Sequence, residues 1–349
     1  MQKKLIALAV AGLVSAPAFA QSNVTIYGLV DMGFSYRGDH FVDGVGSKTA
    51  IDSGVANGSR LGFRGTEDLG NGLKAGFVLE QGFFADRGVS AQGEKTFGRQ
   101  SFVSLAGGFG EVRVGRQYHM QNMLHGAYDP FGDGTVGKIS NVYEQTNSGR
   151  LDNALVYISP NFSGLTVIAA YSTQANDQEN IDNDGDARVW GISPMYNNGP
   201  LSLAANYHQV KVEGASGKNK VWDLAAAYDF GVAKVSAMYG QNKYDAEFTG
   251  LGDDEKAKYW MLGVTAPVGA AGKVMASYVS GKYDFAGDDY KVGQWALGYT
   301  HALSKRTDIY TVYADINNKD DVLLASSGDA TNGGEGYQKG FNLGVRHRF

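Results

Sequence analysis

Residues 201–208 read Leu-Ser-Leu-Ala-Ala-Asn-Tyr-His, and residues 222–230 read Trp-Asp-Leu-Ala-Ala-Ala-Tyr-Asp-Phe. In both stretches an apolar or aromatic side chain stands at every second position, with small or polar residues between. A repeat of two residues is the period of a β-strand whose faces differ, whereas an amphipathic helix repeats every 3.6 residues. Each stretch therefore predicts a strand with one apolar and one polar face.

The same period dominates from Val24 to Phe349 and predicts sixteen strands and no long helix. The predicted strands are 23–37, 58–69, 73–84, 98–106, 110–119, 152–159, 165–174, 187–197, 201–212, 219–229, 233–245, 256–267, 273–285, 290–302, 307–317 and 339–349. Seven short turns alternate strictly with eight long polar loops, of which the first is 38–57 and the longest is 120–151. This alternation is typical of an antiparallel transmembrane β-barrel with short periplasmic turns and long external loops.

A soluble β-sandwich is the main alternative, because it also has short strands separated by turns. Its inner face would have to be dry, but the face opposite the apolar residues carries charges such as Arg60, Arg64, Lys74 and Glu80. A dry core cannot bury so many charges without partners. The charge pattern therefore favours the barrel.

The lipid face of a barrel excludes charge, since an arginine at mid-membrane costs about 2–4 kcal/mol there. Alternation then directs Arg60, Arg64, Lys74 and Glu80 into the lumen. Aromatic residues near strand ends, among them Tyr157 and Tyr259, are expected at the membrane interfaces. A lumen enclosed by sixteen strands is too wide for side chains to fill, which predicts a water-filled channel for small hydrophilic solutes and ions.

The first twenty residues predict a cleaved signal peptide. Lys3 and Lys4 precede an apolar run, and Ala18-Phe19-Ala20 is a small-x-small cleavage site. Residues 21–349 contain no composition shift or linker, so we expect a single barrel domain located in the outer membrane. Removing the two lysines changes the formal net charge from −5 to −7, which argues against a nucleic-acid partner.

Nothing in the sequence predicts an enzyme, a cofactor or a metal site. There are no cysteines, which excludes thiol nucleophiles and thiolate metal ligands. The six histidines are scattered, without a serine or acid at a spacing typical of a catalytic triad.

Four stretches carry a family resemblance: Val24-Thr25-Ile26-Tyr27-Gly28, the run 59–70 (SRLGFRGTEDLG), the paired Gly98-Arg99-Gln100 and Gly115-Arg116-Gln117, and the C-terminal 341–349 (FNLGVRHRF). With these, the mature chain resembles the trimeric general porins of Gram-negative bacteria, in their neisserial-type branch. The resemblance implies a homotrimer in contact with outer-membrane lipid and lipopolysaccharide. It also implies that the barrel-assembly machinery reads the terminal Phe349.

In this family the third external loop folds into the barrel and narrows the pore, and arginines on the wall face it. The matching loop here is 120–151, and its segment Asp129 to Gly134 resembles the family's loop motif. The predicted basic side of the constriction is Arg60, Arg64, Lys74, Arg99 and Arg150, and the predicted acidic side is Glu80, Asp129 and Asp133. Alternation supports Arg60 and Arg150, whereas Arg99 depends on the resemblance alone.

A ring of arginines in a narrow aperture favours anions. We therefore expect passive diffusion with a preference for anions. The alternative is a substrate-specific channel with a saturable site in the same barrel.

Overall fold

The computed structural model describes residues 23–40, 46–143, 149–175, 186–214, 217–245, 254–285, 288–318 and 337–349. The predicted signal peptide at 1–20 lies outside the described residues. No helix in the described part of the chain is long and apolar enough to cross a membrane.

Strands make up most of this chain. They are β1 (Asn23–His40), β2 (Lys48–Ser53), β3 (Arg60–Gly70), β4 (Leu73–Phe84), β5 (Val89–Ser90), β6 (Gln100–Gly107), β7 (Gly110–Tyr118), β8 (Arg150–Ile158), β9 (Leu165–Ser172), β10 (Ala187–Asn198), β11 (Leu201–Val212), β12 (Asn219–Asp229), β13 (Lys234–Tyr244), β14 (Glu255–Val268), β15 (Gly272–Phe285), β16 (Asp288–Ala302), β17 (Thr307–Asn318) and β18 (Tyr337–Arg348). Between β7 and β8 lie helix α1 (Met120–Tyr128) and a short 3-10 helix (Ile139–Asn141).

The sheet closes on itself. Neighbouring strands pair antiparallel in chain order, and β18 pairs back onto β1 from Leu29↔Arg348 to His40↔Tyr337. One residue further on, Phe349 and Gly28 exchange backbone hydrogen bonds of 3.1 and 3.0 Å. Closure pairs the last strand of the sheet with the first, as a sheet in a bilayer requires.

The eighteen strands occupy sixteen positions around the barrel. β2 pairs with residues 32–37 of β1 and β3 pairs with residues 23–29, so together they form one interrupted barrel strand. The two-residue β5 pairs only with the end of β4. The prediction of a sixteen-stranded antiparallel barrel is therefore confirmed.

The first predicted loop, 38–57, was too long. Residues 48–53 within it form β2 and continue the barrel strand beyond β3. Between β2 and β3 the chain leaves the sheet from Gly54, which has a φ of 73°, to Ser59. This short inward bend interrupts the period of two and hid the strand from sequence analysis.

The two faces of the sheet differ as the alternation predicts. On β12, Leu224 is 53% exposed on the outer face, whereas Asp223 on the inner face is 0% exposed. One prediction of this kind was wrong: Tyr259 is 1% exposed and stacks on Tyr143 inside the barrel, with ring centroids 4.0 Å apart. Its neighbour Trp260 occupies an outward position on β14 instead.

An unbroken row of alternating Trp and Tyr crosses the outer face of β10–β17. This aromatic row consists of Trp190, Tyr207, Trp222, Tyr239, Trp260, Tyr278, Trp295 and Tyr313. Ring centroids in its Trp–Tyr pairs lie 5.3–5.5 Å apart. It includes all four tryptophans of the chain, which suits the water–lipid interface.

The segment 119–143, called the interior segment below, lies inside the barrel. Leu124 of α1 and Ile139 are almost fully buried, in a cluster with inward residues of β11–β17. The amide of Asn141 donates to Gln294 Oε1 at 2.8 Å, and the backbone N–H of Val136 donates to Asn342 Oδ1 at 2.7 Å. Apolar packing and these hydrogen bonds hold the segment across the lumen and narrow it.

Candidate functional site

A cavity of about 840 Å³ lies beside the interior segment, which lines it together with inward residues of β1 to β4, β7 and β8. Cationic side chains outnumber acidic ones around it. The cationic residues are Arg37, Lys48, Arg60, Arg87, Arg99, Lys138 and Arg150, and the acidic ones are Asp52, Asp86 and Asp133.

Arg99 is the most tightly held of these cations. Its Nε donates to Glu80 Oε1 at 2.7 Å, and its terminal nitrogen donates to the Tyr118 hydroxyl at 2.5 Å. The other oxygen of Glu80 accepts from the Tyr27 hydroxyl at 2.9 Å. Both charged side chains are nearly buried, so Glu80 neutralises Arg99 instead of facing the cavity.

Arg60 and Arg150 are held differently. Neither forms a salt bridge to any residue that the structure describes. The guanidinium carbon of Arg150 lies 5.0 Å from the centroid of the Tyr118 ring, and that of Arg99 lies 5.8 Å from it. Such contacts stabilise a cation by about 0.5–2 kcal/mol without cancelling its charge.

The inward bend 54–59 supports the cavity from the side of the wall. Asp31 on β1 is 0% exposed, and its carboxylate accepts from the backbone N–H groups of Ala56 and Asn57 at 3.1 and 2.7 Å. The Tyr310 hydroxyl donates to the same carboxylate at 2.5 Å. The bend in turn meets the interior segment, because the N–H of Thr135 donates to the carbonyl of residue 55 at 2.8 Å.

Asp129 shapes the tip of the interior segment. Its buried carboxylate accepts from the backbone N–H groups of Phe131, Asp133 and Ile139, each at 3.0 Å. Burial, with a smaller contribution from the charge of Asp133, raises the pKa of Asp129 to about 7. The structure thus places Asp133 on the cavity and Asp129 behind it, as a support for the turn.

The predicted basic residues divide into two groups. Arg60, Arg99 and Arg150 line the cavity. Arg64 lies over the Tyr27 ring at 5.2 Å and Lys74 pairs in register with Asp68 beside a short turn, so neither reaches the cavity.

Sequence analysis missed Arg37, Lys48, Arg87 and Lys138. Arg37 lies an even number of residues from the inward residues of β1, so alternation predicts that it faces the lumen. Lys48 is opposite Arg37 in register, but it belongs to β2, which lies within the predicted loop 38–57. Arg87 and Lys138 lie outside regular strands, where alternation gives no direction.

A second polar cluster lies behind α1, away from the cavity. His119 and His208 are fully buried with ring centroids 4.2 Å apart, and His125 lies 5.9 Å from the Tyr259 ring. Asp223 accepts from the Asn206 amide at 2.7 Å. Within the described residues no group of histidines and acids is arranged to hold a metal ion.

Residues 7–321 match the model of the Gram-negative porin family. Outer membrane porin protein 32 of Delftia acidovorans is 39% identical over 365 aligned residues that cover 100% of both chains. Major outer membrane protein P.IB of Neisseria gonorrhoeae is 37% identical over 186 residues, which cover 52% of this chain and 51% of that protein. Among solved structures, an anion-selective porin from Comamonas acidovorans has a TM-score of 0.79 and 36% identity, covering 94% of this chain and 100% of that one.

Proposed function

Since this chain belongs to the Gram-negative porin family, whose members are channels of the outer membrane, we propose that its pore passes anions in preference to cations. The proposed process is passive diffusion of small hydrophilic solutes and ions through the narrowed lumen. It includes no enzymatic reaction.

The observation that carries the proposal is the difference in pairing between acids and cations at the cavity. Asp52 lies 3.3 Å from Arg37, and Asp86 lies 3.6 Å from Arg87. Glu80, which lies behind the cavity wall, is bonded to Arg99. The cations Lys48, Arg60, Lys138 and Arg150 form no salt bridge within the described part of the chain. The surplus charge at the aperture is therefore positive.

Physical conditions in the aperture strengthen this surplus. Low-dielectric walls focus the field of charges that line a cleft, and an arginine keeps its charge at every physiological pH. A basic constriction raises the local concentration of anions and repels cations. The solved relative from Comamonas acidovorans is described as anion-selective, which agrees with this interpretation.

The zero-current potential of the purified protein in a planar bilayer under a KCl gradient tests the proposal. We expect an anion-signed potential that falls towards zero in the double variant Arg60→Gln/Arg150→Gln. Lys305→Gln/Arg306→Gln is the matched control, because it removes two exposed charges from a short turn away from the cavity. A cation-signed potential in the wild type, or an unchanged potential in the first variant, would overturn the proposal.

The cluster of Arg60, Arg99 and Arg150 around Tyr118 also supports an alternative, a substrate-specific channel with one saturable anion site. Flux that rises linearly with solute concentration favours general diffusion. Flux of a small anion that saturates, and loses saturation in Arg60→Gln/Arg150→Gln, favours the alternative.

We further propose that the chain assembles as a homotrimer through the wall formed by β2 to β8. No tryptophan lies on β1–β9, so the aromatic row that suits a lipid interface is confined to the opposite wall. A structure of OmpT from Vibrio cholerae, which shares the fold at 16% identity, is described as a trimer form. Analytical ultracentrifugation in detergent tests the assembly, and a monomer would refute it.

We also propose that the barrel-assembly machinery recognises Phe349. The side chain of this residue is 46% exposed on the outside of the barrel seam, where a receptor could reach it. Deletion of Phe349 should reduce the amount of folded barrel in the outer membrane without preventing refolding in detergent.

A further inference from the structure

Three buried side-chain oxygens on adjacent strands accept no hydrogen bond from any residue that the structure describes. They are Asn219 Oδ1 on β12, Asn242 Oδ1 on β13 and Glu255 Oε1 on β14. The exposed fractions of the three residues are 3%, 3% and 7%, so bulk water does not solvate these oxygens. The three residues are called the oxygen cluster below.

Strand register brings the oxygen cluster together around Tyr244. This tyrosine is the direct partner of Asn219 on one side and of Glu255 on the other. Asn242 precedes it by two residues, and the Asn242 amide nitrogen donates to the Tyr244 hydroxyl at 2.7 Å. Asn242 is therefore a diagonal neighbour of both Asn219 and Glu255. Diagonal neighbours have Cα atoms about 7–8 Å apart, a separation that two side chains and one bound ion span.

The oxygen cluster faces the lumen. Asn219 lies four residues before Asp223, and Glu255 lies four residues before Tyr259. Asp223 and Tyr259 are both buried on the inner face, and an even spacing on a strand preserves the face. Asn242 lies between the other two residues on the intervening strand and is buried with them.

The carboxylate of Glu255 has no positive partner. The lysines that neighbour the cluster in sequence, Lys220, Lys243 and Lys256, are directed to the outer face by the same alternation. Lys243, for example, lies 2.6 Å from Asp254. Glu255 forms no salt bridge with any residue in the described part of the chain. Buried charges in proteins are normally paired or coordinate a metal ion.

The oxygen cluster lies at the external end of the barrel. Asn219 and Glu255 are the first residues of their strands, and β13 ends two residues after Asn242. Glu255 precedes Trp260 of the aromatic row by five residues, which is about 16 Å along a strand. Since the row marks the lipid interface, the cluster lies beyond the hydrocarbon, where ions of the external medium reach it.

Two amide carbonyls and one carboxylate form a set of hard oxygen donors. Calcium takes about six to eight oxygen ligands from carboxylates, amide carbonyls and water, in a flexible geometry. Magnesium requires a near-ideal octahedron and retains several of its waters. Donors on three strands, with side chains of two lengths, suit the flexible calcium sphere. Unpartnered buried oxygens indicate a bound water or ion, and the charge of Glu255 favours the ion.

We propose that the oxygen cluster binds one calcium ion through Asn219, Asn242 and Glu255, with water completing the coordination. The ion links β12, β13 and β14 where they enter the external loops. Because the donor set contains one charge, the expected Kd is about 10⁻⁴–10⁻³ M, the range of extracellular calcium modules. This inference goes beyond conduction and does not depend on the ion preference of the pore.

Terbium luminescence of the protein, refolded in detergent without lipopolysaccharide, tests this inference. Tb³⁺ prefers the oxygen ligands that calcium prefers, and Tyr244 beside the cluster sensitises its emission. We expect a saturable signal in the wild type that CaCl₂ displaces at about 10⁻⁴–10⁻³ M and that MgCl₂ displaces only at higher concentration. Glu255→Gln keeps the shape but removes the charge, so it should abolish the saturable signal. Asn219→Ala should weaken it.

Asp289→Asn is the matched control. It removes an acid that is 58% exposed at the same end of the barrel, where it pairs with Lys282 at 2.8 Å. An equal loss of signal in this control would overturn the inference. A wild-type signal that CaCl₂ does not displace, or that MgCl₂ displaces equally well, would also overturn it, and this comparison needs no variant to fold.

Thermal unfolding gives a second readout. A bound ion stabilises the folded state, so CaCl₂ should raise the melting temperature of the wild type and not that of Glu255→Gln. An equal rise in both proteins would contradict the proposed site. The zero-current potential, measured on the same preparations, should keep its sign in Glu255→Gln. A wild-type potential without anion sign would refute the proposed selectivity and leave the calcium result standing.

Discussion

Lowering the pH from 7.5 to 5 is expected to loosen α1 from the barrel wall, because His119 is neutral and fully buried in the docked state. Its Nδ1 accepts the backbone N–H of Gln121 at 3.1 Å and caps the helix, a role that a protonated ring cannot perform. Burial, and secondly the charge of His125, lowers the pKa of His119 to about 3 from 6.5. No carboxylate contributes to this shift.

The groups packed around His119 come from three directions. His125 lies on α1, His208 on β11, and Asp223 on β12, with Tyr143 and Tyr259 beyond them. The carboxylate of Asp223 already accepts from Tyr259 at 3.0 Å, so it is engaged in the docked state. Protonation of His119 would thus place a cation among histidines.

The sign and size of this pH effect follow from the linkage between protonation of His119 and docking of α1. A histidine whose pKa is lower in the docked state contributes stability that is complete above its free pKa of 6.5 and is lost as the pH falls towards 3. At pH 5 the free ring is about 1.5 pH units below its pKa, which corresponds to a loss of about 2 kcal/mol. At pH 4 the loss reaches about 3 kcal/mol.

The assay compares single-channel currents of the wild type and His119→Asn at pH 7.5 and 5. Asparagine caps a helix well but takes up no proton. We expect the wild type to become noisier at pH 5, with brief changes of conductance level, and we expect His119→Asn to respond less, because only the buried His208 of this contacting pair is retained. All other residues are common to the two proteins, so equal pH responses would refute the reasoning.

Three further predictions concern the constriction. Glu80→Gln leaves Arg99 buried without its carboxylate partner at 2.7 Å, so we expect the free energy of unfolding to fall by about 3–5 kcal/mol in urea titrations. Lys74→Gln should leave the zero-current potential unchanged, because Lys74 lies away from the cavity; a shift equal to that of Arg60→Gln would contradict the placement. In Gly134→Ala the new Cβ would overlap the carbonyl oxygen of Ala56, so the tip should separate from the bend 54–59 and the conductance should rise.

The fold could be predicted because a closed barrel imposes one rule on every strand. Alternation alone assigns Asp223 to the inner face and Leu224 to the outer face, because lipid accepts an apolar side chain and the aqueous lumen accepts a charged one. The rule failed where the chain leaves the sheet. The bend after Gly54 interrupts the alternation and conceals β2. The aromatic character of Tyr259 suggests a position at the membrane interface, but alternation places its neighbour Trp260 on the outer face and Tyr259 on the inner one.

The candidate site was less predictable, because alternation determines the face of a residue and not what it meets there. Lys74 and Glu80 share a face of β4 but are separated by six residues, which is roughly 20 Å along a strand. Depth alone therefore removes Lys74 from the constriction. Backbone hydrogen bonds inside the loop hold the carboxylate of Asp129 behind the cavity, whereas Asp133 lines it. No periodic sequence pattern encodes these bonds.

Acidic residues near the aperture need not weaken its preference for anions. Asp31 is occupied by two backbone N–H groups and a tyrosine hydroxyl, and Asp129 by three backbone N–H groups. Each holds a segment that borders the cavity, and Glu80 fixes Arg99 in the same way. Because these acids are already satisfied, they act as supports for the cationic lining and not as its counter-charge. The formal net charge of −5 therefore says nothing about the pore, and the sign of selectivity follows from Arg60, Arg150 and the other cations that no acid pairs.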